Sequence, residues 1–325
     1  MATPTHALAG PALVLAFCLS QALRDVYFGN AFQDVDFFAV ILVAFLLSTM
    51  LFAAIALLRT RGQLRMLRGK TGTLLALNLT TALAWSSYFF ALTHLEPAIV
   101  NTVHSGMAPL TVMALAAFGV RLAQNPSIGI GEYVSTAGIA LALIGLCWIV
   151  LSDSSGLAGT PEAINLAALA AVFVSGTSIT ISLLICKRLH DDGIGADTVT
   201  AVRYLGLIAV AALVLAHKGE IRGIDTPGQL ATLAAVATAL IVIPLFALQV
   251  GIARTAPLTA HIFRALSPVF VFLAQQLDGR LSHSTPTLIC ILAYAAAAVA
   301  GTLAHSWPRS ARFRLTPGWL ARMRT

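Results

Sequence analysis

Charge is what this chain has least of. Only 10% of its 325 residues are Asp, Glu, Lys or Arg, against roughly a quarter in an ordinary soluble domain. Acid is the scarcer sign, with 13 carboxylates against 20 lysines and arginines. So few charges cannot solvate a surface on every side, which excludes a freely soluble domain. Cysteine is also sparse: Cys18, Cys147, Cys186 and Cys290 fall within apolar runs and show no paired spacing. That excludes a zinc knuckle, a redox dithiol and a disulfide framework, and leaves them as small apolar packing residues. No HExxH and no GxSxG occurs, so the metalloprotease and nucleophile-elbow templates are absent. Gly69-Lys70-Thr71 ends like a phosphate loop, but six residues separate Gly62 from Gly69 where that motif needs four. "RLHDDG", Arg188 to Gly193, reads as a solvated loop rather than a metal site. No catalytic residue, metal or cofactor is implied, and the chain is not expected to be an enzyme.

Apolar sequence is what fills the space, at 58% of residues. Ten runs are long enough to cross a hydrocarbon core of ~30 Å, which takes about 20 helical residues each. They cover 8–28, 37–58, 71–94, 97–119, 131–152, 163–187, 196–216, 228–251, 257–277 and 285–306. Continuous runs of this kind predict helices, because unpaired backbone groups are too costly in lipid. The expected class is an all-α membrane protein. The net charge of +7 is not a nucleic-acid signal, because the cations are unevenly distributed. With the N-terminus inside, fourteen of the 20 face the cytoplasm, including Arg59, Arg61, Arg65, Arg68, Lys70, Arg121 and five in the 307–325 tail; only Lys218, Arg222 and Arg280 face out. This bias predicts both termini inside. The N-terminus lacks the basic region of a secretory signal, so the first run is expected to stay as a span. The tail combines five arginines with Trp307, Phe313, Trp319 and Met323, which suits either lipid headgroups or a disordered basic tail.

The chain also repeats itself. "FFALTHLEPAIVNTVHSGMAPLTVMALAAFGVRL" from Phe89 aligns with "QVGIARTAPLTAHIFRALSPVFVFLAQQLDGRL" from Gln249. Pro97 falls on Pro257 at an offset of 160, and Pro109 on Pro268 and Arg121-Leu122 on Arg280-Leu281 at 159. The expected halves are 8–152 and 163–306, followed by a basic cytoplasmic tail at 307–325. Five spans per half is an odd number, so the second copy would be inverted. Secondary transporters use such repeats and bind substrate near the midplane.

These two stretches, together with "GIALALIGLCWIVL" in the fifth span, resemble the drug/metabolite transporter superfamily in its ten-helix EamA-type form. The resemblance covers about residues 8–306 and implies ten transmembrane helices as two inverted five-helix repeats, acting as a permease or exporter. The family often has a glutamate where this chain has Val120 and Gly279, and a "WGSNF"-like stretch where it has "CLSQALRDVYFG". No family member's substrate is carried over.

Polar residues inside the spans mark the candidate site. His261, Arg264 and Pro268 share one helix face, as do Asn101, His104 and Ala108, with Ser105 beside them. The offset of 160 places Asn101 on His261 and His104 on Arg264. Each of His104 and Arg264 stands seven residues past its turn proline, about 10 Å deep. Arg24, Asp25 and Arg203 are the other charges within spans. A surplus of arginine favours an anionic substrate, because guanidinium binds carboxylate and phosphate in bidentate fashion. The expected substrate contacts are Arg264, His261, His104, Asn101, Gln21, Asp25, Arg24 and Arg203. Two alternatives stay open: Arg264 pairs with Asp25, or Arg24 and Arg203 snorkel to headgroups. Pro109, Pro244 and Pro268 are expected to bend their spans. Small residues at Ala293, Ala297, Gly301, Gly138 and Ala142 are expected to line a scaffold contact or a homodimer seam. The expected function is secondary transport of a small metabolite across the inner (cytoplasmic) membrane by alternating access, with membrane lipid as a further partner. A lipid-acting membrane enzyme and a non-transporting scaffold are the alternatives.

Overall fold

The computed structural model of the chain describes residues 4–120, 129–157, 159–252 and 254–306. Arg121, Leu122 and the 307–325 tail of the sequence reading lie outside them. The helices are α1 (Pro4–Ala31), α2 (Phe37–Arg59), α3 (Arg61–Met66), α4 (Thr71–His94), α5 (Pro97–Ala117), α6 (Ile130–Leu151) and α7 (Glu162–Asp191). They continue with α8 (Ala196–Arg203), α9 (Leu205–Lys218), α10 (Pro227–Ala237), α11 (Ile243–Ile252), α12 (Pro257–Gln275) and α13 (Thr285–Ser306). No strand occurs among the described residues. Ten segments are long and apolar enough to cross a membrane, with α8–α9 and α10–α11 each forming one span. The chain is a multi-pass membrane protein.

Local chemistry sets where the helices begin. Pro97, Pro227 and Pro257 occupy the first turns of α5, α10 and α12, where the missing N–H costs nothing and the fixed φ suits a helix. Asp36 caps α2 by accepting from the Phe38 N–H at 2.9 Å, and Thr226 with Gln229 forms a capping box at α10.

The structure departs from the sequence reading in four places. Arg188 to Asp191, expected as loop, continue α7. The basic stretch after α2 contains the short helix α3. The eighth span carries a π-helical turn at Thr238–Val242 just ahead of Pro244. The seventh span breaks between Arg203 and Leu205, and the cause is Asn78 of α4. Its Nδ2 donates to the Val202 carbonyl at 3.1 Å and its Oδ1 accepts from the Gly206 N–H at 2.7 Å. Val202 and Gly206 are the i, i+4 pair that would bond in an unbroken helix, so the amide satisfies both groups at the gap. A side chain at Gly206 would put its Cβ 2.9 Å from the Asn78 Cβ.

The small residues serve the contact between α6 and α13. A Cβ at Gly131 would lie 2.7 Å from Ala304, one at Gly138 3.2 Å from Ala297, and one at Gly145 2.9 Å from the Cys290 sulfur. The steps are seven residues on each helix, in opposite directions, and Ser135 Oγ donates to the Ala297 carbonyl at 2.7 Å.

Connections stitch the two ends of the bundle differently. At the Glu96 end, Lys218 pairs with the α2 cap Asp36. There Ser282 N–H donates to the Gly156 carbonyl at 2.8 Å and Ser284 Oγ to the Ser154 carbonyl at 2.9 Å. At the Lys70 end, Lys70 pairs with Asp192 at 2.6 Å, with both side chains about one-third exposed.

Candidate functional site

A cavity of about 380 Å³ penetrates the bundle. Lys187 and His190 of α7, both exposed, stand at its mouth on the Lys70 end. Arg24, Tyr88 and His104 lie at its inner reach. Its lining includes four cationic side chains, Arg24, Lys187, Arg203 and Arg264, and no carboxylate.

At the inner reach of the cavity, a buried polar network gathers around Asp25. Asp25 is fully buried and Arg24 only 4% exposed. Arg24 Nε and Nη2 donate to Asp25 Oδ1 at 2.9 and 2.6 Å, while Tyr88 OH and Asn101 Nδ2 donate to Oδ2 at 2.7 and 2.9 Å. Arg24 also lies over the rings of Trp85 and Tyr88, at 5.3 and 5.8 Å. Three side chains, one each from α1, α4 and α5, thereby donate to one carboxylate. The bridge is intramolecular charge balance and leaves Arg24 close to neutral as a pair. His104 is fixed from α7: Ser175 Oγ donates to the Ala84 carbonyl at 2.6 Å, so its oxygen receives the His104 Nδ1–H at 2.9 Å. That chain of donors assigns the tautomer and leaves His104 Nε2 for the cavity. Gly176 makes the approach fit, since a Cβ there would lie 2.7 Å from the His104 carbonyl.

Of the residues expected from sequence, Gln21, Arg24, His104, Arg203 and Arg264 line the cavity. Asp25 and Asn101 lie behind it, in the network. His261 is exposed and outside the lining. Arg264 does not pair with Asp25, whose oxygens are taken, and among the described residues no carboxylate is within ion-pair distance of it. Neither Arg24 nor Arg203 snorkels: Arg203 is 8% exposed, packs over the Tyr204 ring at 5.1 Å and donates from Nη2 to Ser182 Oγ at 3.2 Å. Sequence reasoning missed Trp85, Tyr88, Ser175 and Ser267. The signal for the first two was "WSSY" inside the third span, with an aromatic pair at i, i+3. Three lining residues carry a buried polar atom with no partner among the described residues: Trp85 Nε1, Arg203 Nε and Ser267 Oγ.

The far end of the bundle is shut by Glu96, 1% exposed. Gln275 Nε2 donates to its Oε1 at 2.6 Å, and the Gly156 N–H and Thr287 Oγ1 donate to Oε2 at 3.0 and 3.2 Å. Gln275 Oε1 in turn accepts from the Ala98 N–H at 3.0 Å. Burial raises the Glu96 carboxyl above the usual carboxylate range, opposed in part by these hydrogen bonds.

No family model and no curated protein matches the chain. Among solved structures, a chain described only as "Crystal structure of protein" superposes with a TM-score of 0.60 at 17% identity. The match covers 93% of this chain and 98% of that one. It is a likeness of fold.

Proposed function

We propose that this chain is a secondary transporter that moves a small anionic metabolite across the cytoplasmic membrane by alternating access. One observation carries the reading: a cation-lined cavity is open at the Lys70 end and shut at the Glu96 end by contacts between the two halves of the chain. Glu96 belongs to the first half, Gln275 and Thr287 to the second.

The reading includes two inverted five-helix repeats, supported by helix neighbours. α1 packs on α11 and α12, as α7 packs on α4 and α5. α2 meets α8 and α9, α5 meets α12, and α6 meets α13. Exchanging the first five spans for the last five leaves this set of neighbours unchanged. The resemblance to EamA-type drug/metabolite transporters points the same way. Arg59, Arg61, Arg65, Arg68, Lys70, Lys187, Arg188 and Arg254 cluster at the Lys70 end, against Lys218, Arg222 and Arg280 at the other. The positive-inside rule then puts the cavity mouth in the cytoplasm.

The test is counterflow in proteoliposomes with pools of anionic, zwitterionic and cationic metabolites. Saturable exchange in the anionic pool is expected. Absence of exchange in every pool sinks the transporter reading, and exchange confined to the cationic pool sinks the anion assignment.

A further inference from the structure

We infer that the ligand of this cavity carries two acidic groups on one small skeleton, one meeting Arg203 at the break in the seventh span and the other meeting Arg264. The inference deepens the anion-transport reading of the same site.

Charge balance is the first argument. Arg24 is neutralised by Asp25 within the protein. Arg203 and Arg264 have no carboxylate in ion-pair contact among the described residues, and no carboxylate lines the cavity. A guanidinium as buried as Arg203, with no counter-charge, is strongly unfavourable inside a membrane protein. The two uncompensated guanidinium groups on the cavity wall match two negative charges. A single carboxylate would leave one of them unpaired.

Hydrogen-bond balance is the second. Arg203 Nε and Trp85 Nε1 are buried N–H donors without an acceptor, which is uncommon enough to call for one. Arg203 is held in place by the Tyr204 ring and by Ser182, so its orientation is set before a ligand arrives. Arg203 ends α8, and Tyr204 alone separates it from the start of α9 at Leu205, so the break fixes where this guanidinium leaves the span. Arg264 approaches from α12, and Ser267, one turn on along the same face, brings a hydroxyl without a partner. Oxygen acceptors on a dianion fit this donor-rich wall; a cation would add donors to it. Lys187 and His190 at the mouth would steer an anion inward.

Two sources share this chemistry, a dicarboxylate and a phosphorylated carboxylic acid. The test is thermal unfolding of the full chain in detergent with succinate, butyrate or phosphoglycolate, each at matched ionic strength. Succinate or phosphoglycolate raises the Tm, and whichever shifts it more identifies the source; butyrate, of the same length as succinate, does not. Arg203→Gln and Arg264→Gln each weaken dianion binding about tenfold, as loss of one charged hydrogen-bond pair predicts. Arg264 is exposed, so its variant is not expected to disturb folding and keeps the test valid if Arg203→Gln unfolds. Equal stabilisation by butyrate and succinate overturns the inference. So does no stabilisation by any probe, or dianion binding unchanged in Arg264→Gln. Dianion binding without counterflow would instead remove the transporter reading and leave the ligand class standing.

Discussion

The helices α5 and α12 share a sequence plan, each opening on proline and carrying a second proline inside, yet their polar stripes meet opposite surroundings. Asn101 is fully buried and His104 is tied to Ser175, whereas His261 and Arg264 are exposed. The reverse holds at the other ends of the same helices. Phe118 after α5 is 84% exposed, while Val271, Phe272 and Gln275 of α12 are buried. Burial therefore follows the end of the bundle, and not the position within the sequence plan. Both helices are enclosed toward Glu96 and open toward Lys70. In the transporter proposed above, that inequality between matching positions is what separates one access state from the other.

Four experiments would break or sharpen this contrast. Asp25→Ala should do the most damage, since it strands Arg24 in the enclosed half, and losing one partner of a buried pair costs ~3–5 kcal/mol. Denaturation in detergent reads it, and Asp25→Asn should lose less. Next is Glu96→Ala, which strips the acceptor from Gln275, Gly156 and Thr287; about 1–3 kcal/mol per stranded donor is expected. A cysteine placed at Ser284, buried in the closed end, should then be alkylated faster from the Glu96 side. The third varies pH. Because burial raises the Glu96 pKa, the protonated form is favoured in the closed structure. The closure is strongest below the ordinary carboxylate pKa and weakens as pH rises through the raised value. Alkylation of the same cysteine should climb over that interval, and Glu96→Gln should flatten the curve; a curve unchanged by Glu96→Gln would assign the pH response elsewhere. Last and smallest is Asp192→Asn at the open end. Lys70 holds the Asp192 carboxyl below its usual range, but the pair is solvent-exposed, so no measurable change in Tm is expected.

The spans were legible because each is a continuous apolar run whose backbone has no alternative to helix in lipid. Their starts were legible wherever proline marks the first turn. The broken seventh span was not, because the amide that satisfies the gap comes from Asn78, 124 residues before Val202. The site was half legible. Arg264, Arg203, His104, Gln21 and Arg24 do meet at one cavity, since polar groups in an apolar span have few other places to go. Asp25 and Asn101 were read as substrate contacts but fall behind the wall. Adjacent residues on a helix point apart, which made Arg264 the natural partner for Asp25. The long Arg24 side chain folds back to its neighbour instead, and Tyr88 and Asn101 complete the shell from other helices. No local pattern in the sequence announces that arrangement.

The ladder of glycines between α6 and α13 has a mechanical meaning. With a contact every seven residues, about 10.5 Å apart, each glycine on one helix faces a side chain on the other. Sliding by a single turn would bring Val134 and Leu141 of α6, both now exposed, nearer to Ala304 and Ala297, where no room exists for them. The seam therefore has a fixed register and resists shear. In the transporter proposed above, a seam that cannot slide would hold still while the helices around the cavity move.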